Sequence, residues 1–549
     1  MMKRINGFLD RIDAMKYADI VRYFIDIVLC MYILDNAIQF TNAGSNYEQA
    51  LYFRPICIAC GLIIIVNMDI KRWLNIFSVI YVPVCYIATH YGYEKHIIPD
   101  LNNYQYVEII RTGKLVALVW GIIIINILID VIAGKTYKKW RRLNIVPAAV
   151  LALFIIFVLV FRKEYYDMLF MTIEIPAALY ILGNEKRRHY LVRSAVDALM
   201  LSFIYVALFS LRHRPYDCER YSLNFCNTNM CGAYLACVAV AVFTSLSVFW
   251  NRQCKKWLKI TGVTLHMLFL GFVLSTIMFN NSRTVILALL FSLFVLFICE
   301  LLRSDRKASV WLKYILALLS LPALFYPTFL AYRYIPAYYA AHVDQPLLYD
   351  IEYDPEVRVM FGDAETSPKY TSLESYFKEM FGKWGIIIDF EDEDGEGDSL
   401  AKKLGEAELD GRDVTTGRTD IWRLFIPKFN ATGHFPGYVV DDNGEIIPHA
   451  HNSYFTMTYQ LGLIVGILYA ILCIMVFILG IRKYIKSGPC TETMFAFLMS
   501  GTMLIAQVSE WLSRPQYSIF IVYIFVLTGL LYKSEVSSET EKIADEDKK

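Results

Sequence analysis

Long apolar stretches recur along the whole chain and are separated by short polar loops. A bilayer core of about 30 Å requires about 20 apolar residues in a helix, and fourteen stretches approach this length. We predict membrane-spanning helices at residues 20–42, 52–70, 73–90, 115–134, 144–161, 168–184, 191–211, 232–250, 260–280, 284–302, 309–330, 453–481, 491–510 and 516–532. The first stretch lacks a small-residue cleavage site, so we predict an anchor rather than a signal peptide. The pattern therefore predicts an all-α integral membrane protein with about 14 transmembrane helices.

One long hydrophilic insert interrupts this pattern before the third-last predicted helix. It divides the chain into a polytopic region of about eleven helices (1–330), a large loop (331–452), three C-terminal helices (453–532) and a charged tail (533–549). Loops of this length are usually functional or disordered. The segment 389–398 has seven acidic residues and two glycines, and its spacing does not fit a calcium-binding EF-hand. We interpret it as a solvated linker, with calcium binding as the alternative.

Composition and charge narrow the class of protein. Of the 549 residues, 56% are hydrophobic and only 19% are charged, whereas soluble domains have about 25% charged residues. This balance excludes a soluble enzyme, a fibrous protein and a disordered chain. The net charge of +1 argues against nucleic acid as a partner, because nucleic-acid binding requires a basic surface.

Basic clusters occur in every second predicted loop and set the orientation. They comprise Lys71/Arg72, Lys135/Lys138/Lys139/Arg141/Arg142, Lys186/Arg187/Arg188, Arg252/Lys255/Lys256/Lys259, Arg303/Arg306/Lys307 and Arg482/Lys483/Lys486. Cytoplasmic loops carry the excess of Lys and Arg. We therefore expect both termini in the cytoplasm and the large loop outside.

The roles of several cysteines and of the charged residues in or near the spans are open to more than one interpretation. The pair Cys57-x-x-Cys60 lies inside an apolar stretch and is best interpreted as two small hydrophobic residues. Three cysteines of a predicted outer loop could include a disulfide, whose pairing stays open: Cys218, Cys226 and Cys231. Charged residues in or near spans either pair within the bundle or mark a substrate path: Asp26, Asp35, Asp130, Glu174, Arg193, Asp197 and Glu510. Of these, Glu510 is the one that we expect near the outer end of a span, facing the same vestibule as Arg283.

The second half of the large loop carries signals of local order. Four residues with helical spacing predict one helical face: Arg418, Trp422, Phe425 and Phe429. Pro427 is expected to shorten or kink this helix. Asn443-Gly444 between apolar residues predicts a β-hairpin. Asn452 or Ser453 is expected to cap the helix that follows.

Two sites near the predicted outer surface carry candidate chemistry. His449 and His451 could be ordinary loop histidines, and their spacing is only a weak signal for metal ligands. Alternatively, one of them could be a general base, because imidazole accepts a proton near neutral pH. Arg283, at a nearly absent outer loop, could anchor the helix at the interface or grip phosphate with both guanidinium nitrogens.

Three motifs in residues 265–480 together resemble the O-antigen ligase and O-antigen polymerase superfamily. They are Ser282-Arg283-Thr284, Gly417-Arg418-x-x-Ile421-Trp422 and His451-Asn452-Ser453-Tyr454. The ligase pattern continues with a glycine, found here as Gly462, and ends on Gly, Thr or Tyr, where this chain has Val465.

The resemblance implies a GT-C-like fold and a metal-independent, inverting glycosyltransferase without a cofactor. The donor would be an oligosaccharide repeat unit on undecaprenyl diphosphate. Arg283 and Arg418 would bind the diphosphate and His451 would act on the acceptor hydroxyl. Four further residues would support the site: Asn452, Trp422, His449 and Glu510. A polymerase is favoured over a ligase, although the sequence does not encode the acceptor or the sugar.

This reading also implies a location and partners. The protein would lie in a bacterial cytoplasmic membrane with its active site facing outside, in contact with membrane lipid, a lipid-linked glycan donor and a glycan or lipid-linked acceptor. A flippase and a chain-length regulator are further candidate partners. Two alternatives are a lipid-linked oligosaccharide flippase, which needs neither a catalytic histidine nor an ordered outer loop, and a non-catalytic assembly partner.

Overall fold

The fold was examined in a computed structural model of the whole chain. The structure describes residues 8, 11–13, 15–40, 46–96, 103–135, 140–161, 166–214, 216, 220–223, 225, 227–343, 373–384, 386–387, 408–409, 417–441, 443–514 and 517–533. Of these described residues, 82% are helical and very few belong to a sheet. The predicted all-α class is therefore confirmed.

Twelve helices precede the insert in the described part of the chain. They are α1 (Lys16–Phe40), α2 (Asn46–Asn67), α3 (Ile70–Trp73), α4 (Ile76–His96), α5 (Asn103–Ile132), α6 (Ile145–Phe161), α7 (Tyr166–Leu182), α8 (Glu185–His213), α9 (Thr228–Asn251), α10 (Lys256–Asn280), α11 (Arg283–Arg303) and α12 (Lys307–Val343). Most correspond to the predicted apolar stretches, with ends displaced by several residues.

The insert and the C-terminal region contain shorter elements. They are α13 (Leu373–Lys383), β1 (Ile386–Ile387), β2 (Glu408–Leu409), α14 (Arg418–Phe425), the 3₁₀ turn Ile426–Lys428, β3 (Val439–Val440), β4 (Ile446–Ile447), α15 (Ser453–Leu461), α16 (Leu463–Ser487), α17 (Thr491–Ala506) and α18 (Ser518–Leu530). The two strand pairs are antiparallel, and β3 pairs with β4 across the predicted Asn443-Gly444 turn. The hairpin, the short α14 and its early end near Pro427 are confirmed.

Several helices have the length and composition of membrane spans. Seven helices of the described residues are long and apolar enough to cross a membrane, and six further apolar helical stretches of 10–17 residues were found. The chain is thus compatible with a multi-pass membrane protein, while the count of fourteen spans stays a prediction. Helix α1, which covers the first predicted span, belongs to neither group, because polar residues such as Asp19, Arg22 and Asp26 lie along it.

Charged groups inside the bundle are paired with polar neighbours. Asp26 accepts hydrogen bonds from the Asn67 amide at 2.9 Å. Four other pairs join separate helices: Arg72 with Asp130, Tyr180 with Asp130, Cys60 with Glu174, and Tyr23 with Asp197. These pairs favour a structural role for these charges, because an unpaired charge in a dry bundle is costly. The side chain of Asp35 lies outside the described residues.

The centre of the bundle is α9. It packs against α8, α10 and α17. Of the 18 residues that form its most apolar stretch, 83% are buried within the protein. Small residues allow this close approach of neighbouring helices: Gly232, Ala233, Ala236, Ala239 and Ala241. Cys231 is buried in the first turns of this helix, whereas Cys218 and Cys226 lie outside the described residues.

Three predicted helices differ from the structure by more than a few residues or in number. Helix α5 begins at Asn103 rather than near residue 115. Helix α12 continues to Val343 rather than ending near residue 330. The single span predicted at 453–481 is two helices, because the chain breaks at Gly462, which has a φ of 97°. A Cβ atom on Gly462 would lie 2.2 Å from the Ala431 carbonyl oxygen, so the insert packs directly on this break.

A helix of the insert that the sequence did not reveal is attached to the bundle. Helix α13 buries Tyr376, whose ring packs edge-on against Phe279 and tilted against Phe325. The Tyr376 hydroxyl donates a hydrogen bond to the Met278 carbonyl at 3.1 Å. This contact holds the N-terminal half of α13 beside the end of α10. The acidic run 389–398 lies outside the described residues.

Candidate active site

Three residues that the sequence singled out line one cavity of about 280 Å³: Arg283, Arg418 and His451. They come from the start of α11, from the start of α14 and from the segment before α15. Arg220 and Lys383 line the same cavity. Together with the two other arginines they make four cationic side chains, without counting His451. No carboxylate is among the described residues that line it. Arg418 and Lys383 each pair with a carboxylate outside this lining, Glu510 and Glu379. The lining itself presents cations only, which suits an anion.

Arg283 is held at the cavity by a tight turn. Helix α10 ends at Asn280, and α11 begins three residues later, as the nearly absent loop predicted. The turn is made by Asn281, whose φ of 52° is left-handed, a conformation that asparagine tolerates better than most residues. The Arg283 guanidinium donates to the carbonyl oxygen of Lys383 at the end of α13. The arginine is thus directed towards the insert rather than towards lipid.

Arg418 is positioned by a glycine and a carboxylate. Gly417 precedes α14 with a φ of 76°, which favours glycine because it has no Cβ atom. The Arg418 guanidinium donates to Oε1 of Glu510 at 2.6 Å, and both side chains are mostly buried. A guanidinium carries five N–H donors in a planar fork, so this pair leaves others for a ligand.

His451 sits in a strained backbone conformation beside the same carboxylate. Its φ is 45°, a region that non-glycine residues rarely adopt and that is often associated with functional sites. Its Nδ1 atom lies 3.8 Å from Oε2 of Glu510. Glu510 therefore contacts Arg418 with one oxygen and approaches His451 with the other.

His449 occupies a different environment from His451. Its Nδ1 accepts a hydrogen bond from the His451 backbone N–H at 3.2 Å, and its ring packs against Trp511. Burial lowers the pKa of His449 to about 3, with further lowering by the charges of His451 and Arg514. His449 is not among the residues lining the cavity. Of the two histidines, His451 is placed to meet a ligand, and His449 supports its backbone.

Two further predicted residues fix the backbone on either side of His451. The Trp422 indole N–H donates to the carbonyl of Ala450 at 2.9 Å. The Asn452 side chain accepts from the backbone N–H of Phe455 at 3.0 Å and caps α15, as predicted. Both residues position His451 through its immediate neighbours.

Sequence reasoning missed four residues of the cavity: Arg220, Asn229, Asn281 and Lys383. Lys383 depends on α13, which no pattern predicted, and Arg220 lies in a loop that was read only for its cysteines. Asn281 was part of the quoted turn but received no role. Its side chain is almost fully buried and its amide has no hydrogen-bond partner among the described residues. A buried amide of this kind at a cavity wall is a candidate ligand-binding group.

Neither a metal site among the described residues nor a known relative assigns a function to this cavity. In the part of the chain that the structure describes, no three His, Cys, Asp or Glu side chains are grouped as a metal site would require. No family model matches the chain, and no curated protein and no solved structure matches it either. The geometry of the cavity is therefore the basis for a functional assignment.

The low pKa of His449 predicts a specific pH dependence of stability. Because the folded-state pKa of about 3 lies below the unfolded value of about 6.5, the contribution of His449 is complete above pH 6.5 and is lost as the pH falls towards 3. At pH 5 the loss approaches roughly 2 kcal/mol. His449→Asn keeps an acceptor for the His451 N–H but does not titrate. Between pH 7.5 and 5, we expect the melting temperature of the native protein to fall more steeply than that of the variant; parallel falls would contradict the assignment.

Proposed function

We propose that the chain is a membrane glycosyltransferase that transfers or polymerises oligosaccharide repeat units carried on undecaprenyl diphosphate, at the outer face of a bacterial cytoplasmic membrane. Polymerisation is favoured over ligation. The proposal rests on one observation above all: Arg283 lines the same cation-lined cavity as Arg418 and His451, which follow it by more than a hundred residues of sequence.

The charge of the cavity supports departure of a lipid diphosphate. When the bond between the anomeric carbon and the diphosphate oxygen breaks, the bonding electrons leave with the diphosphate. Fixed cations directed at the developing charge lower the barrier, and guanidinium groups bind phosphate oxygens in pairs. Arg283 and Arg418 supply this function in the proposal, with Arg220 and Lys383 adding to the local positive potential.

The surroundings of His451 support a role in activating the acceptor. The acceptor hydroxyl attacks the anomeric carbon from the side opposite the leaving group, and this attack inverts the configuration of that carbon. The hydroxyl gives its proton to His451. Glu510 lies 3.8 Å from Nδ1 of His451, and its negative charge stabilises the imidazolium that forms. The same carboxylate holds Arg418, so base and diphosphate-binding group share one support.

The proposal is tested by supplying lipid-linked glycan to the purified protein. Donor is extracted from membranes of a strain that lacks the gene, and released undecaprenyl diphosphate is measured together with glycan length. A glycosyltransferase releases the lipid diphosphate and lengthens or transfers the glycan. A flippase or a non-catalytic assembly partner releases none, and that outcome would refute the enzymatic assignment.

Replacing His451 tests its assignment as the base. His451→Ala is expected to lower the transfer rate by roughly 100- to 10,000-fold, the usual contribution of general acid–base catalysis. His449→Ala should have a smaller effect, because His449 lies behind His451 and does not line the cavity. Both variants must reach the membrane in native amounts. An inactive His449 variant beside a near-normal His451 variant would reverse the assignment.

Arginine-to-lysine changes test whether the diphosphate is held by a planar fork. Lysine keeps the charge but loses the two-point geometry, so Arg283→Lys and Arg418→Lys should each lose much of the activity. The matched control is Arg423→Lys: Arg423 lies on the same helix as Arg418, its side chain is 75% exposed, and it pairs with Asp420. Near-native turnover in both cavity variants would exclude two-point binding of the diphosphate by the guanidinium groups. That result is the one expected if the arginines only anchor their helices at the interface, because lysine serves equally well there.

Removing the unpaired amide of Asn281 tests whether it contacts the substrate. Glycine accepts the left-handed φ of 52° without strain, so Asn281→Gly removes the amide alone. Loss of one neutral hydrogen bond should lower the specificity constant by about 3- to 10-fold. Asn443→Gly, in the exposed hairpin turn, is the matched control and should leave it unchanged. Equal activity of the two variants would mean that Asn281 serves only the turn.

A further inference from the structure

A second and larger cavity, of about 610 Å³, lies at the end of the bundle opposite the candidate active site. Helix α11 connects the two ends: Arg283 lines the first cavity, and Arg303, its last residue, lines the second. At 1.5 Å per residue this helix spans about 30 Å. The proposed glycosyl transfer gives the second cavity no role.

Three interhelical turns meet around this cavity. Arg252 lies in the turn between α9 and α10, Arg306 in the turn between α11 and α12, and Pro489 in the turn between α16 and α17. The guanidinium of Arg303 packs so close to Gly488 that a Cβ atom there would lie 2.3 Å from its nitrogen. The cavity is thus built from packed turns of separate helix pairs.

The charges lining the cavity are unequal. Five cationic side chains and two carboxylates line it. Glu300 is fully engaged, because Lys313 donates to it at 2.6 Å and the Tyr484 hydroxyl at 3.2 Å, all three groups being buried. This internal pair cancels one charge of each sign. The remaining lining is therefore a cluster of cations with a single exposed carboxylate, Asp305.

The remaining cations are not ion-paired in the described part of the chain. Arg252, Arg303 and Arg306 form no ion pair there, and neither does Lys259. Like charges gathered around one cavity repel each other, and an anion between them removes this repulsion. Arginines can bind phosphate oxygens with two parallel N–H groups.

Arg303 and Arg306 are exposed at the cavity, but simple anchoring at a membrane surface does not account for Arg252. Lys255 and Lys256 lie on the same turn, are exposed, and do not line the cavity, as expected of residues that extend towards the interface. Arg252, by contrast, is partly buried and faces the cavity. One turn therefore carries both kinds of basic residue, which provides a matched comparison.

We propose that this second cavity binds a phosphate group, with Arg252, Arg303 and Arg306 as its ligands. The phosphate belongs either to a lipid headgroup or to a soluble phosphate compound, since both present the same oxygens. Binding here would join the three turns at the end of the bundle remote from the reaction. The proposal does not depend on the glycosyltransferase assignment, because its test measures binding and not turnover.

The experiment compares two double variants that remove equal charge. Arg252→Gln with Arg303→Gln alters the cavity, and Lys255→Gln with Lys256→Gln alters the neighbouring exposed lysines. In phosphatidylcholine nanodiscs, binding of labelled inorganic pyrophosphate reports a soluble source. In mixed micelles of phosphatidic acid and phosphatidylcholine, native mass spectrometry of retained phosphatidic acid reports a lipid source. The first cavity contributes equally in all proteins, so differences report on the second.

Binding to the second cavity should be at least about tenfold weaker in the arginine variant in one of the two arms, as expected for loss of charge-assisted hydrogen bonds. The lysine variant should bind like the native protein. Equal binding by the two variants in both arms would overturn the proposal. If the arginine variant melts at a lower temperature, Arg252→Lys with Arg303→Lys is measured instead; it should bind at least about threefold weaker, and native-like binding would again overturn the proposal.

Discussion

The geometry of the candidate site depends on Glu510 more than on any other residue. Its carboxylate holds Arg418 at 2.6 Å and approaches His451, while its backbone carbonyl accepts the Ser453 hydroxyl at 2.9 Å. The backbone N–H of Leu512 donates to the same hydroxyl at 2.8 Å. The C-terminal bundle thus fixes both the entrance and the exit of the ordered half of the insert. The cost of desolvation offsets much of the free energy gained by a mostly buried ion pair. The main effect of the Arg418–Glu510 pair is therefore to fix the positions of the two side chains.

Four cations and no carboxylate line the candidate active site among the described residues, although Arg418 and Lys383 pair with Glu510 and Glu379 outside the lining. Each pair of like charges repels, and the repulsion grows where water is excluded. Arg283 is partly stabilised by the carbonyl of Lys383, and Arg418 by Glu510 behind it, so both guanidinium groups are held in place against this repulsion. A multiply charged anion relieves the repulsion more than a neutral glycan does, which is why the charge favours a diphosphate donor over a purely sugar ligand.

Features set by neighbouring residues were predictable from the sequence, and features set by distant packing were not. The Asn443-Gly444 hairpin and the Asn452 cap follow from local backbone chemistry, and both occur. The break at Gly462 depends on Ala431, which packs against it from the insert. Helix α13 has a burial partner only once α10 and α12 are in place. For the same reason the unpaired amide of Asn281 could be recognised only in three dimensions.

Basic residues at helix ends look alike in a sequence, and their roles separate only through their surroundings. Arg283 and Arg303 terminate the same helix, and the rule that relates positive charge to membrane topology treats both as surface residues. Arg423 shows what a solvated arginine does in this protein: it is 75% exposed and pairs with an acidic neighbour one turn away. Arg283 and Arg303 instead line cavities in which cations outnumber carboxylates. Where more cations than carboxylates line a cavity, a bound anion lowers the repulsion among them, and this reasoning applies at both ends of α11.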